Sequence, residues 1–270
     1  MNGEHRDTAT GAGPEGQAQG GLEGRTALVT GASGAIGRAC AVALADRGAR
    51  IVVAYGSDEQ GAQETADLVK AAGAEPVVAQ ADLSDPGAAR ALVAAAGDAG
   101  VDILVNNAAA SPHFGPLLDA SEAQWDKTFE VNVKGYVHTI KACVPLMRER
   151  GGGRIIKVAS VAAMVPHSGL GVYGVTKAAV VMLTRTLAVE LAPDIRVNAI
   201  APGLIETKFS EVLWSSPEMR EKALRSIPQH RIGQTDDLVG AALYLASDAS
   251  AFTTGAVMVV DGGQTLGGAY

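Results

Sequence analysis

The sequence predicts a single α/β domain built on a doubly wound, seven-stranded parallel sheet with helices on both faces. Three observations carry that expectation. The chain has 270 residues, 47% of them hydrophobic, which is enough for one large buried core. Seven short apolar runs alternate with longer helix-like segments, the pattern of strands joined by crossover helices. A glycine-rich turn follows the first run directly, where a strand must reverse sharply into a helix.

Taken in order, residues 1–21 contain no Val, Leu, Ile or aromatic residue and cannot offset the entropy of ordering, so a disordered tail is expected there. The domain follows over 22–270. Strands are expected at 26–30, 51–54, 76–80, 101–105, 154–158, 195–199 and 256–260, each a short β-branched or aliphatic run. Helices are expected at 35–47, 61–72, 86–96, 122–149, 174–191 and 236–246. Aromatics make up 4% of the chain while glycine alone contributes 33 residues, which suits close helix-to-sheet packing. No internal repeat and no second domain are evident.

A formal net charge of −7 argues against general binding to nucleic acid or to acidic membranes, since neither surface attracts this chain. Cys40 and Cys143 sit outside any CxxC or Cys/His spacing and read as ordinary buried thiols, consistent with a reducing compartment. No apolar stretch is seen to reach the roughly 18 residues of a membrane span, and the N-terminus has no signal-peptide core. A cytoplasmic location is expected.

Chemistry enters with Thr30-Gly31-Ala32-Ser33-Gly34-Ala35-Ile36-Gly37-Arg38. Glycines let the backbone turn tightly and approach a pyrophosphate, whose charge a helix N-terminus favours. The second signal is Tyr173-Gly174-Val175-Thr176-Lys177. A spacing of four puts Tyr173 and Lys177 on one helical face, where an ammonium lowers the proton affinity of a phenol. Ser160 follows the apolar run Ile155-Ile156-Lys157-Val158-Ala159 and belongs at a strand's carboxyl end, the edge at which open α/β sheets bind ligands. Ser160 is not framed as G-x-S-x-G, so a serine nucleophile is disfavoured. His113 and His167 either line the substrate opening or lie on the surface.

These residues resemble the short-chain dehydrogenase/reductase family from about residue 22 to residue 263. The resemblance rests on the glycine-rich turn, Asn106-Asn107-Ala108, Asn132, Ser160 with Tyr173 and Lys177, Asn198-Ala199-Ile200-Ala201-Pro202-Gly203, and Val260-Asp261-Gly262-Gly263. It implies a Rossmann fold and a reaction in which a hydride moves between a nicotinamide and a carbonyl or secondary alcohol, with no metal required. By the same resemblance Tyr173 is the general acid or base, Ser160 holds the substrate oxygen, Lys177 tunes Tyr173 and bonds the nicotinamide ribose, and Asn132 positions a water in a proton relay. Cofactor contacts are implied at Gly31, Ser33, Gly34, Ile36, Gly37 and Arg38; at Tyr55 and Ser57; at Asp82 and Leu83; and at Asn107 and Ala108. They continue at Tyr173, Lys177, Pro202, Gly203, Ile205 and Thr207. A homotetramer, or else a homodimer, is implied through helices 122–149 and 174–191.

Two positions depart from the family pattern: Ala35 stands where its second glycine usually falls, with Gly34 one place earlier, and Ala109 replaces a common glycine. Trp125-Asp126-Lys127-Thr128, Arg150-Gly151-Gly152-Gly153 and Phe209-Ser210 also resemble the NADPH-dependent carbonyl and retinal reductases of the family. The closing Gly267-Gly268-Ala269-Tyr270 lacks their peroxisomal signal. NADP(H) is expected over NAD(H), because Tyr55 occupies the strand-end position where an NAD site places an acid; Ser57 and Arg38 could meet a 2′-phosphate, and Asp58 tempers the preference. Segment 206–226, with Phe209, Val212, Leu213, Trp214 and Met219, reads as an apolar lid or a packed helix pair. A carbonyl reductase is therefore expected. The alternatives are a 3-oxoacyl thioester reductase, an NAD-dependent alcohol dehydrogenase, and a non-catalytic nucleotide sensor.

Overall fold

The computed structural model describes residues 21–267. The tail expected over 1–21 lies, apart from Gly21, outside the described residues. Seven parallel strands form one sheet: β1 (Thr26–Thr30), β2 (Arg50–Tyr55), β3 (Pro76–Gln80), β4 (Ile103–Asn106), β5 (Gly153–Val158), β6 (Ile195–Pro202) and β7 (Val257–Val260). Their spatial order is β3-β2-β1-β4-β5-β6-β7. The order reverses between β1 and β4, which opens a crevice at the carboxyl ends of those two strands.

The strands are apolar throughout because both faces are covered. Along β2, Ile51, Val53 and Tyr55 point into one core while Val52 and Ala54 point into the other. The first core is closed by α1 (Ala35–Ala45), α2 (Glu59–Ala71) and α8 (Asp236–Ala246), through residues such as Leu44, Val69 and Leu245. The second is closed by α3 (Pro86–Ala94), α5 (Gly135–Glu149) and α6 (Gly171–Glu190), through Leu92, Cys143 and Ala188. Two further helices, α4 (Glu122–Phe129) and α7 (Pro217–Ser226), complete the set among the described residues. Cys40 and Cys143 are free and buried, and burial pushes both thiols up to about 12.

Three expectations are corrected. The helix expected over 122–149 keeps those bounds but is divided into α4 and α5 by a π-helical turn, Glu130–Lys134, that carries Asn132. That turn is fixed from outside: the Asn132 amide donates to the Ala110 carbonyl and to Thr176 Oγ1, each at 3.0 Å, and its oxygen accepts from Ala110 N at 2.7 Å. β4 begins at Ile103, since Asp102 ends its approach by accepting from Thr26 N at 2.9 Å and pairing with Arg25 and Arg150. α6 is long and apolar enough to cross a bilayer by length and composition, contrary to the reading that no stretch was. Its apolar face instead packs on the sheet, with Val172, Val180 and Ala188 buried.

Candidate active site

The site is assembled where β1 and β4 end. Gly31 turns the chain with a φ of +63°, and a Cβ there would lie 2.9 Å from Ala108 Cα. Gly37 is equally constrained, because its Cβ would stand 2.4 Å from the Gly31 carbonyl oxygen. Asn107 locks the turn from the neighbouring strand: its amide donates to the carbonyls of Thr30 and Gly31 at 3.0 and 3.1 Å, and its N–H reaches Thr30 Oγ1 at 2.9 Å. Helix α1 then starts at Gly34 without a side-chain cap, leaving its first N–H groups directed to the crevice. Gly34 itself has space for a methyl group, so the displaced glycine pattern is tolerated.

Beyond the turn lies an open cleft of about 660 Å³. Of the expected cofactor residues, Gly31, Ser33, Gly34, Ile36, Tyr55, Ser57, Asp82, Leu83, Asn107, Ala108, Tyr173, Lys177 and Thr207 line it. Gly37, Arg38, Pro202, Gly203 and Ile205 stand outside that lining. Arg38 is committed elsewhere: Nε donates to Thr65 at 3.0 Å and Nη2 to the Gly61 carbonyl at 3.0 Å and Glu64 at 2.9 Å. Asp82 is held below its ordinary carboxylate range, first by the Ser84 hydroxyl at 2.7 Å and then by the Ser84 N–H. An extended anionic ligand fits this cradle, since the tight turn, the uncapped helix and the strand-end residues share one wall.

Tyr173 and Lys177 both project from α6 into the inner end of the cleft. Lys177 is buried, with its Nζ 5.4 Å from the Tyr173 ring centroid and donating to the Val158 carbonyl at 2.7 Å. Burial pulls Lys177 down to about 7 and pushes Tyr173 up to about 12, with the nearby Ser160 hydroxyl opposing the second shift. The expectation that Lys177 lowers the tyrosine's proton affinity therefore meets a competing force, because an ammonium must stay charged to act and its surroundings are dry. Ser160 stands at the end of β5, where its Oγ accepts from Ala162 N at 3.1 Å; no hydrogen bond under 3.5 Å joins it to Tyr173 among the described residues. Among the described residues Asn132 makes no direct hydrogen bond to Lys177, and its side chain fixes Ala110 and Thr176.

The family model described as enoyl-(acyl carrier protein) reductase matches residues 31–265, spanning the turn, the Tyr/Lys pair and the last strand. Dehydrogenase/reductase SDR family member 4 of Sus scrofa is 42% identical over 245 residues, covering 90% of this chain and 88% of the pig protein. The chain belongs to the short-chain dehydrogenase/reductase family. It is accordingly an oxidoreductase acting on CH–OH groups with NAD or NADP. A 7α-hydroxysteroid dehydrogenase in complex with NADH and 7-oxo glycochenodeoxycholic acid is 34% identical, with a TM-score of 0.85 over 90% of this chain and 95% of that one. An Agrobacterium tumefaciens structure with bound NADP, provisionally assigned as a 2-deoxy-D-gluconate 3-dehydrogenase, is 36% identical, with a TM-score of 0.85 over 93% of this chain and 100% of that one.

In this short-chain dehydrogenase Thr207, Lys208 and Phe209 line the cleft beside Tyr173, and two further segments pair with each other before α6. Gly115 bridges Leu170, and Phe114 packs its ring edge on Gly169. His113 and His167 sit on these two bridged segments: His113 Nε2 bonds the Pro116 carbonyl at 2.9 Å, while the His167 Nε2 is buried without a partner. Thr207 caps the 3-10 turn Lys208–Leu213, and Phe209 places its ring 5.7 Å from that of Tyr173. Helix α7 follows with none of its residues buried, so it covers without joining the core. Sequence reasoning missed Tyr136, whose hydroxyl lies 3.4 Å from Lys177 Nζ. It falls within the helix expected over 122–149, and nothing local marks its hydroxyl.

Proposed function

We propose that this protein is an NADP(H)-preferring carbonyl reductase for apolar ketones, reversible as a secondary-alcohol dehydrogenase. The observation that carries the reading is the placement of Tyr173 and Lys177 in the same cleft as the glycine-rich turn, under the ring of Phe209. When bound, the nicotinamide cofactor supplies or accepts the hydride. Tyr173 gives its hydroxyl proton to the substrate oxygen in reduction and takes it back in oxidation. Ser160 steadies the same oxygen as charge develops on it. Lys177, charged, holds the ribose side of the cleft and favours the phenolate. Phe209, beside Tyr173 in the cleft, excludes water and favours apolar substrates over sugars.

The cofactor preference rests on Tyr55, which presents no carboxylate to a ribose at the end of β2. Ser57 beside it can donate to a 2′-phosphate, while Asp58 is engaged as the cap of α2. Arg38 does not add to the preference, since its guanidinium is bonded inside the α1–α2 layer. A homotetramer is proposed through α5 and α6, on the exposed apolar stripe Val175, Met182 and Val189 that recurs every seven residues. The cytoplasm is proposed as its compartment on the two unpaired, buried thiols.

The test is a ketone and secondary-alcohol panel with NADPH and NADH, run beside Tyr173→Phe. Wild type should turn over apolar ketones, and the variant should bind NADPH normally yet lose at least about 100-fold in kcat. Retention of turnover by the variant would sink the assignment. A 3-oxoacyl thioester outperforming every simple ketone would move the substrate class to acyl carriers, and light scattering that shows monomer alone would remove the tetramer.

A further inference from the structure

Lys177 is buried, and protein groups from three elements surround its ammonium. The Val158 carbonyl of β5 accepts from Nζ at 2.7 Å. The Tyr136 hydroxyl, from the first turn of α5, lies 3.4 Å away. The rings of Tyr136 and Tyr173 stand on either hand, each with its centroid 5.4 Å from Nζ. Tyr136 is itself fully buried and donates its phenolic proton to the same Val158 carbonyl at 3.2 Å. With that proton so directed, a lone pair of the phenol oxygen is left facing the ammonium.

We propose that Tyr136 is a positioning residue for the acid–base pair: its hydroxyl oxygen holds Lys177 in the charged form and so keeps the proton affinity of Tyr173 within working range. This rests on the dehydrogenase reading above. Its physical basis is a contest of two effects on Lys177. Burial disfavours the ammonium and pulls the group down to about 7. Acceptors and π faces favour the ammonium, because each interacts with the charged form more strongly than with the amine. No carboxylate pairs with Lys177 among the described residues, so Val158 and the two tyrosines carry that side of the contest.

The other groups around the pair do not substitute for Tyr136. Asn132 and Thr176 are neutral and bonded to each other, and Ser160 is bonded to Ala162 N. Lys157 of β5, a second buried ammonium among the described residues, has no hydrogen-bond partner. Tyr136 does not titrate in the working range, since burial raises it well above its ordinary value. A phenylalanine would fill the same space, so the hydroxyl is the part that packing does not require.

Two readouts test this, one without cofactor. In protein labelled at the lysine ε-carbon, the NMR titration midpoint of Lys177 should fall by about half to one pH unit on Tyr136→Phe. In alcohol oxidation, the ascending limb of kcat/KM should move to higher pH by a similar amount, losing about 3- to 10-fold on the limb and recovering above it. The sign follows because a less charged Lys177 leaves Tyr173 harder to deprotonate. An unmoved Lys177 midpoint, or a loss uniform in pH, overturns the proposal and leaves Tyr136 a packing residue. Should Tyr136→Phe not fold, Tyr136→3-fluorotyrosine keeps the volume and weakens the acceptor, and must shift both readouts in the same direction by less. Full turnover in Tyr173→Phe would overturn the dehydrogenase mechanism instead, and the lysine titration would still decide the role of Tyr136.

Discussion

Replacing Lys157 with methionine should stabilise this protein, and by an amount that depends on pH. Lys157 lies next to the carboxyl end of β5, fully buried, between the strand neighbours Asn106 and Ala199. Asn106 offers it nothing, because its oxygen accepts from Thr139 and its amide points to the Tyr136 carbonyl. The ammonium is therefore without a hydrogen bond, and burial pulls the group from 10.5 to about 7. A displacement of about three and a half units corresponds to roughly 5 kcal/mol between the two protonation states, at about 1.4 kcal/mol per unit. Relaxation of the site makes that an upper bound.

Because the folded value is depressed, the unfolded chain binds more protons between about pH 7 and 10.5, and stability rises with pH across that window. Conversely, the stabilisation present above 10.5 is lost as pH falls towards 7. Methionine has nearly the volume of lysine and no charge to desolvate. Lys157→Met should therefore gain about 3 kcal/mol at neutral pH and less than about 1 kcal/mol near pH 10. Urea melts of both proteins at one concentration, from about pH 6.5 to 10, measure the difference. Lys177 and the two buried cysteines titrate in both proteins and cancel. A variant less stable than wild type at neutral pH, or a difference that does not change with pH, would refute the reasoning.

Gly37→Ala should abolish tight cofactor binding and cost about 2 to 4 kcal/mol, since its Cβ meets the Gly31 carbonyl at 2.4 Å. Gly34→Ala should stay within about threefold of wild-type cofactor affinity, and calorimetric titration of both variants checks the contrast. Tyr55→Asp should reverse the ratio of kcat/KM for NADPH and NADH; a wild type that already prefers NADH would end the preference assigned to this strand end. Asn132→Ala leaves the Ala110 N–H and carbonyl without their partner and removes the bond that the Thr176 hydroxyl accepts, so a loss of about 2 to 3 kcal/mol is expected in thermal and chemical melts.

The fold was legible because its signals are local or periodic. Strands 26–30 and 76–80 coincide with their observed bounds, as short β-branched runs between turns must. Ser160, Tyr173 and Lys177 were legible for a related reason: a fixed spacing on one helix and a strand's end give position without any knowledge of neighbours. The glycine turn was legible in its chemistry, though the sequence could not say that Gly37 is sterically obligatory while Gly34 is not. Helix α7 is one of two alternatives that the sequence leaves open for 206–226, because periodicity reports a buried face and α7 has none.

What tertiary structure decided is what depends on residues far apart in the chain. The π turn at Asn132 is held by Ala110 and Thr176, 22 and 44 positions away. Arg38 looked free to meet a phosphate until Thr65 and Gly61 were brought against it by α2. Tyr136 meets Lys177 across 41 residues, and neither helix alone records the encounter. Propensity and spacing determine elements and their chemical inventory, because those follow from each residue and its near neighbours. The protonation of Lys177 and Tyr173 follows from desolvation and contact, and these exist only once the helices are packed on the sheet.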